Sequence, residues 1–134
     1  MEFFDLELKI KTQCISGGQA GTADELIFTF CQNGQCCSTD PLGLPNGNAR
    51  CKNLDFYSRD ELGDCAKFEF AFETIHGNVT FADKNALVHD GWKGQWFKLI
   101  FEDEGTITCK KLPRIGFFRN RPDLKDYFEF NCSP

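Results

Sequence analysis

The chain has 134 residues, the size of one ordinary domain, and a fold of that length buries roughly two-thirds of the surface its unfolded chain exposes. Fifteen Phe against one Met give an aromatic core, and the composition leans towards strands rather than helices. The formal charge of −5 argues against nucleic acid, whose binders need basic surface, and no apolar stretch approaches the roughly 18 residues of a membrane-crossing helix.

In chain order, the opening "MEFFDLELKIK" alternates charges from its second residue and is no signal peptide, so Met1 is read as a start replacing a removed leader. "LELKIKTQC" sets Leu6, Leu8, Ile10 and Thr12 on one face and Glu7, Lys9, Lys11 and Gln13 on the other, the period of a half-buried strand. "ELIFTFC" repeats it with Leu26, Phe28 and Phe30 inward. Asn33-Gly34 then predicts a tight hairpin to a short Cys36-Cys37 segment. The loop "DPLGLPNGNARC" follows, and residues 55 to 64 are read as holding a helical turn. "KFEFAFE" alternates Phe68, Phe70 and Phe72 against Glu69, Ala71 and Glu73 and reads as a strand. Further strands are predicted at 77 to 82, 95 to 102, 106 to 111 and 127 to 132. Seven or eight short strands divided by turns predict an all-β antiparallel sandwich in one domain over residues 1 to 134.

Eight cysteines, Cys14, Cys31, Cys36, Cys37, Cys51, Cys65, Cys109 and Cys132, run along the whole chain as in a disulfide framework, with connectivity open. A zinc site is the competing reading, but no second paired cluster or closely spaced His pair follows Cys31 to Cys37. Disulfides imply an oxidising compartment and a secreted protein. Because Cys36 and Cys37 cannot easily bond each other, they are expected to tie one strand to two neighbours. Asn78-Val79-Thr80 and Asn131-Cys132-Ser133 are glycosylation triplets.

With the strands placed, "LKIKTQCISGGQAGTADELIFTFCQNGQC" resembles the opening of a PLAT (lipoxygenase-homology) domain: Thr12, Gly17-Gly18, Gly21-Thr22-x-Asp24, the strand Leu26 to Phe30, and Gly34. "LDFYSRDELGDCAKFEF" and "HDGWKGQWFKLIFE" are similar to later family segments, so the likeness spans roughly residues 6 to 110. The chain departs from the pattern by Ala23, which separates Thr22 from Asp24, by lacking a tryptophan shortly after "TITC", and by its cysteines, which make it a disulfide-rich extracellular variant. Residues 113 to 134 fall outside the resemblance.

The resemblance implies a β-sandwich that binds through end loops, and calcium as a cofactor. Calcium needs six to eight oxygens, so Asp24 and Glu25 from one loop would meet Asp55 or Asp60 from another, with Thr22 giving a carbonyl. Asp24 alternatively only shapes its turn. Near the C-terminus, "FFRNRPDLKDYFEF" with Lys110, Lys111 and Arg114 mixes basic and aromatic residues. Phe117, Phe118, Arg119 and Arg121 would suit an anionic lipid headgroup or sulfated glycan, unless the Phe rings pack in the core. Trp92, in a Gly-flanked loop, reads as a ligand or membrane contact and Trp96, heading an alternating strand, as core.

No residue is assigned to catalysis. Serines 16, 38, 58 and 133 lack a nucleophile-elbow context, His76 and His89 have no spaced partner, and Asp60-Glu61 and Asp103-Glu104 read as solvated turn charges. The expectation is a secreted, non-catalytic module recognising a lipid surface, glycan or extracellular protein. The alternatives are a secreted toxin or defence protein acting on a receptor, channel or membrane, and a small extracellular hydrolase.

Overall fold

The computed structural model describes residues 5–13, 22, 24–46, 54–83, 89–117 and 123–134. Nine strands are described: β1 (Leu6–Thr12), β2 (Leu26–Gln32), β3 (Gln35–Ser38), β4 (Leu54–Ser58), β5 (Ile75–Phe81), β6 (His89–Phe101), β7 (Gly105–Lys110), β8 (Arg114–Phe117) and β9 (Tyr127–Cys132). They form two antiparallel sheets. The first runs β4-β1-β6-β7, with β8 on the early part of β6, and the second runs β3-β2-β5-β9. The expected all-β sandwich is the observed architecture.

The alternating strands place their apolar residues between the sheets. β1 buries Leu6, Leu8, Ile10 and Thr12, and β2 buries Leu26, Phe28 and Phe30. Ring packing joins the layers. Phe28 and Phe130 of the second sheet each meet Phe97 of the first edge-on, at 5.2 and 4.9 Å between centroids, and Phe30 meets Phe70 at 5.7 Å. Edge-to-face pairs add about 0.5–1.5 kcal/mol each beyond the area they bury.

Disulfides clamp the sandwich at both edges. Cys37, on edge strand β3 of the second sheet, bonds Cys65, in a 3-10 turn (Gly63–Lys67) that follows β4 at the edge of the first. At the opposite edge Cys109 of β7 bonds Cys132 of β9. Chain-entropy reasoning puts each at about 3 kcal/mol. Cys31 bonds Cys36, its register partner across the β2–β3 hairpin, with Cα atoms 4.1 Å apart. The adjacent cysteines therefore tie β3 to two neighbours, as their inability to bond each other implied. The hairpin turns on Asn33 (φ +52°) and Gly34 (φ +78°), as Asn-Gly predicts. Cys14 and Cys51 lie outside the described residues.

Residues 67 to 73 correct the strand expectation. Phe70 is buried and Phe68 and Phe72 pack on the core, so the alternation does sort the rings, but the backbone joins no ladder. The buried Gln32 amide takes the ladder's place: its Nε2 donates to Ala71 O (2.8 Å) and its Oε1 accepts from Ala71 N (2.9 Å). A single side-chain amide satisfies both backbone groups of Ala71, as a neighbouring strand would. The helical turn expected within residues 55 to 64 is present as two 3-10 turns, Arg59–Glu61 and Gly63–Lys67, which follow strand β4.

Candidate binding surface

The predicted contact Trp92 is a core residue, and Trp96 is the half-exposed one. A register shift sets Lys11 opposite Trp96 but Thr12 opposite Gly94, leaving Gln95 as an extra residue in β6. Such a bulge reverses the parity of the side chains beyond it. Phe97, Leu99 and Phe101 face inward after it and Trp92 before it, so Trp92 and Trp96 point to opposite faces. Trp92 is fully buried, stacks on Phe128 (6.2 Å between centroids) and donates from Nε1 to Thr12 Oγ1 at 2.9 Å.

The expected calcium donors are not gathered. Thr22 is buried and its hydroxyl accepts from Asp24 N at 3.1 Å, which shapes the turn leading into β2; Glu25 is exposed beside it. Asp55 is buried at the start of β4, where its carboxylate accepts from Asn46 N at 3.1 Å. Asp60 lies beyond the far end of β4, on an open groove of about 690 Å³ lined also by Asp5, Phe56, Arg59 and Glu102. Among the described residues no three His, Cys, Asp or Glu side chains gather into a group that could hold a metal. Asp24, Glu25, Asp55 and Asp60 are therefore not gathered into one such group.

The surroundings of these acids are legible in neighbouring groups. Burial, and then the carboxylates of Asp55, Glu61 and Glu25, push the Tyr57 phenol up to about 12; its hydroxyl donates to Gly43 O. A side-chain hydrogen bond with Asp5 raises the Glu102 carboxyl. Burial lowers Arg59, against the opposing pull of Asp5 and Asp60, and its guanidinium donates to Ala66 O and Phe68 O.

The C-terminal basic and aromatic stretch does build a surface. Arg114 of β8, Lys125 just ahead of β9 and Tyr127 at its start line a depression of about 460 Å³, with Gly116 N donating to Lys125 O at 2.9 Å. Tyr127 is 41% exposed, and Lys125 Nζ lies 5.8 Å from its ring centroid. The lining also carries the carboxylates of Asp123 and Glu129, so basic and acidic side chains stand side by side around the phenol ring. Phe117 ends β8 opposite His89. The Phe117 and His89 side chains, and Phe118, Arg119 and Arg121, lie outside the described residues. Sequence reasoning quoted the stretch holding Lys125 and Tyr127 but chose its other residues; the strand alternation that buries Phe128 and Phe130 already turns Tyr127 outward.

Among the described residues the serines engage groups other than histidine. Ser38 pairs with Thr29, Ser58 with Glu61 and Ser133 with Thr74, while His76 is exposed on β5. No described cysteine is a free thiol. Asp60-Glu61 and Asp103-Glu104 are exposed in turns, as expected. No helix among the described residues is long and apolar enough to cross a membrane.

The two clamped antiparallel sheets define a β-sandwich. Among solved structures the chain is similar to "Alpha Toxin from Clostridium Absonum", with a TM-score of 0.57 and 16% sequence identity over 96% of this chain and 31% of that one. This chain thus spans about a third of the toxin's length, and at that identity the likeness is one of fold. No protein-family model and no curated protein matches the chain.

Proposed function

We propose that this chain is a secreted, non-catalytic binding module, a disulfide-rich member of the PLAT family, that recognises a lipid surface through the loop end of its sandwich. The observation that carries this reading is the depression between β8 and β9. There exposed Lys125 supplies positive charge for anionic headgroups and half-exposed Tyr127 an amphipathic ring for the interface, with Arg114, Asp123 and Glu129 completing a mixed-charge lining. Phe117, Phe118, Arg119 and Arg121 stand between these residues in sequence and extend the same composition. The edge disulfides keep such a surface rigid outside the cell, where they persist.

A toxin-like role is the second reading, favoured by the fold likeness to a part of a bacterial alpha toxin. On that reading the module would deliver or assist activity held elsewhere. Both readings place the same surface on a membrane. Co-sedimentation with neutral and anionic vesicles, in calcium and in chelator, tests them. Binding to anionic vesicles that falls at least several-fold in Lys125→Gln/Tyr127→Ala is the expected result, and leakage of vesicle contents on binding would select the toxin reading. Absence of binding in all conditions would sink the lipid role. Asp24→Ala sets the calcium arm: because the described acids do not converge, binding is expected to survive it.

A further inference from the structure

The outward face of the β4-β1-β6-β7 sheet carries a second, separate surface. Register partners place Leu54, Lys11, Trp96 and Lys110 side by side across the four strands, and Phe56, Lys9, Lys98 and Thr108 in the next row. Lys9 and Lys98 thus stand directly opposite each other on neighbouring strands. Like charges so placed destabilise a sheet, and here each is held over a ring: Lys9 Nζ lies 4.7 Å from the Phe56 centroid and Lys98 Nζ 4.4 Å from the Trp96 centroid. Phe56 is 49% exposed, the most exposed large hydrophobic residue described. In a chain of net charge −5, a concentration of lysines on one flat face is a segregation of charge. The carboxylates of the neighbouring groove, Asp5, Asp60 and Glu102, lie towards the Ser58 end of the same sheet.

We propose that this face binds an extended sulfated polysaccharide lying across the strands. Strand spacing sets Lys11 and Lys110 roughly 10 Å apart on either side of Trp96, so anionic groups of one chain can meet successive lysines while a sugar ring lies against the indole. A dip of about 320 Å³ beside Trp96, lined by Lys110 and Lys111, gives room for it. The flat geometry favours a linear polyanion over a bilayer: these rings lie under lysine ammonium groups on a sheet instead of projecting from a loop tip, where insertion would need them. The acidic groove at one end sets the direction, because a polyanion running along the strands would meet Asp5 and Glu102. Both glycosylation triplets fall on strands of the other sheet, with Asn78 in β5 and Asn131 in β9, so attached sugar would leave this face open.

The test uses the intact chain, with dextran sulfate and uncharged dextran as probes and anionic phospholipid vesicles as the competing surface. Dextran sulfate is expected to bind and dextran not to, with affinity falling by about tenfold or more as salt rises, as release of counterions from a polyanion requires. Replacing Lys9, Lys11, Lys98 and Lys110 by Gln should abolish dextran sulfate binding, and Trp96→Ala should weaken it several-fold, while vesicle binding through Lys125 and Tyr127 persists. Wild-type dextran sulfate affinity in the four-lysine variant would overturn the proposal, as would failure of the wild type to bind dextran sulfate at low salt. Because vesicles report the other surface, failure of this proposal and failure of the lipid reading are separate results. All five substituted positions are at least partly exposed, and an unchanged circular dichroism spectrum identifies folded variants.

Discussion

The two halves of β6 carry one tryptophan each, four residues apart, in opposite surroundings. In the half paired with β8, Trp92 is fully buried against Phe128 with its indole nitrogen bonded to Thr12. In the half paired with β1 and β7, Trp96 lies half-exposed under the Lys98 ammonium. The one-residue bulge at Gln95 separates them. A local break in register decides which tryptophan stabilises the fold and which is left at the surface.

That contrast can be broken by substitution. Trp92→Ala empties a closed part of the core and should cost about 3–5 kcal/mol of stability, read as a lowered denaturant midpoint. Thr12→Val keeps the volume but leaves the buried indole N–H without an acceptor, an expected loss of about 1–3 kcal/mol. A loss under ~0.5 kcal/mol in Thr12→Val would mean that the hydrogen bond does not hold Trp92 in place. Trp96→Ala should change stability least, by about 0.5 kcal/mol or less, as for surface positions generally. Equal losses in the two tryptophan variants would refute the assignment of opposite faces.

Tyr57 of β4 adds a pH-dependent test. Its raised phenol means that folding favours the protonated form, so its stability contribution is complete below the unfolded value near 10 and is lost as pH rises through about 12. Alkaline unfolding should therefore steepen between those values, and Tyr57→Phe should remove the steepening while lowering stability at neutral pH, where its bond to Gly43 is lost. An unchanged alkaline profile in Tyr57→Phe would assign that loss elsewhere.

The alternating strands were legible because period two maps directly onto buried and exposed faces: β1 and β2 keep their sequence-predicted inward residues. The Asn-Gly hairpin and the divergent ties of Cys36 and Cys37 were legible for local steric reasons. Residues 67 to 73 were not, because alternation reports which way side chains face and not what the backbone bonds, and Gln32 supplies that bond from 39 residues away. Trp92 was misread because the flanking glycines read as a loop, whereas β6 already runs from His89 and the indole packs inward before the bulge at Gln95. The lysine face was illegible for another reason: Lys9, Lys98 and Phe56 lie on three different strands and meet only through register. The acids behave the opposite way. Near each other in loops of the sequence, they are divided by the length of β4, which sends Asp55 and Asp60 to different ends.

The central claim is that the loop end, and not the lysine face, meets a lipid surface. Hydrogen–deuterium exchange of the intact chain, free and on anionic vesicles, tests it most directly. The account predicts slowed exchange in the segments bearing Arg114 to Phe117 and Lys125 to Tyr127, with β1, β4 and the second half of β6 unchanged. Slowing confined to those three strands, or no change on vesicles that the protein demonstrably occupies, would contradict it.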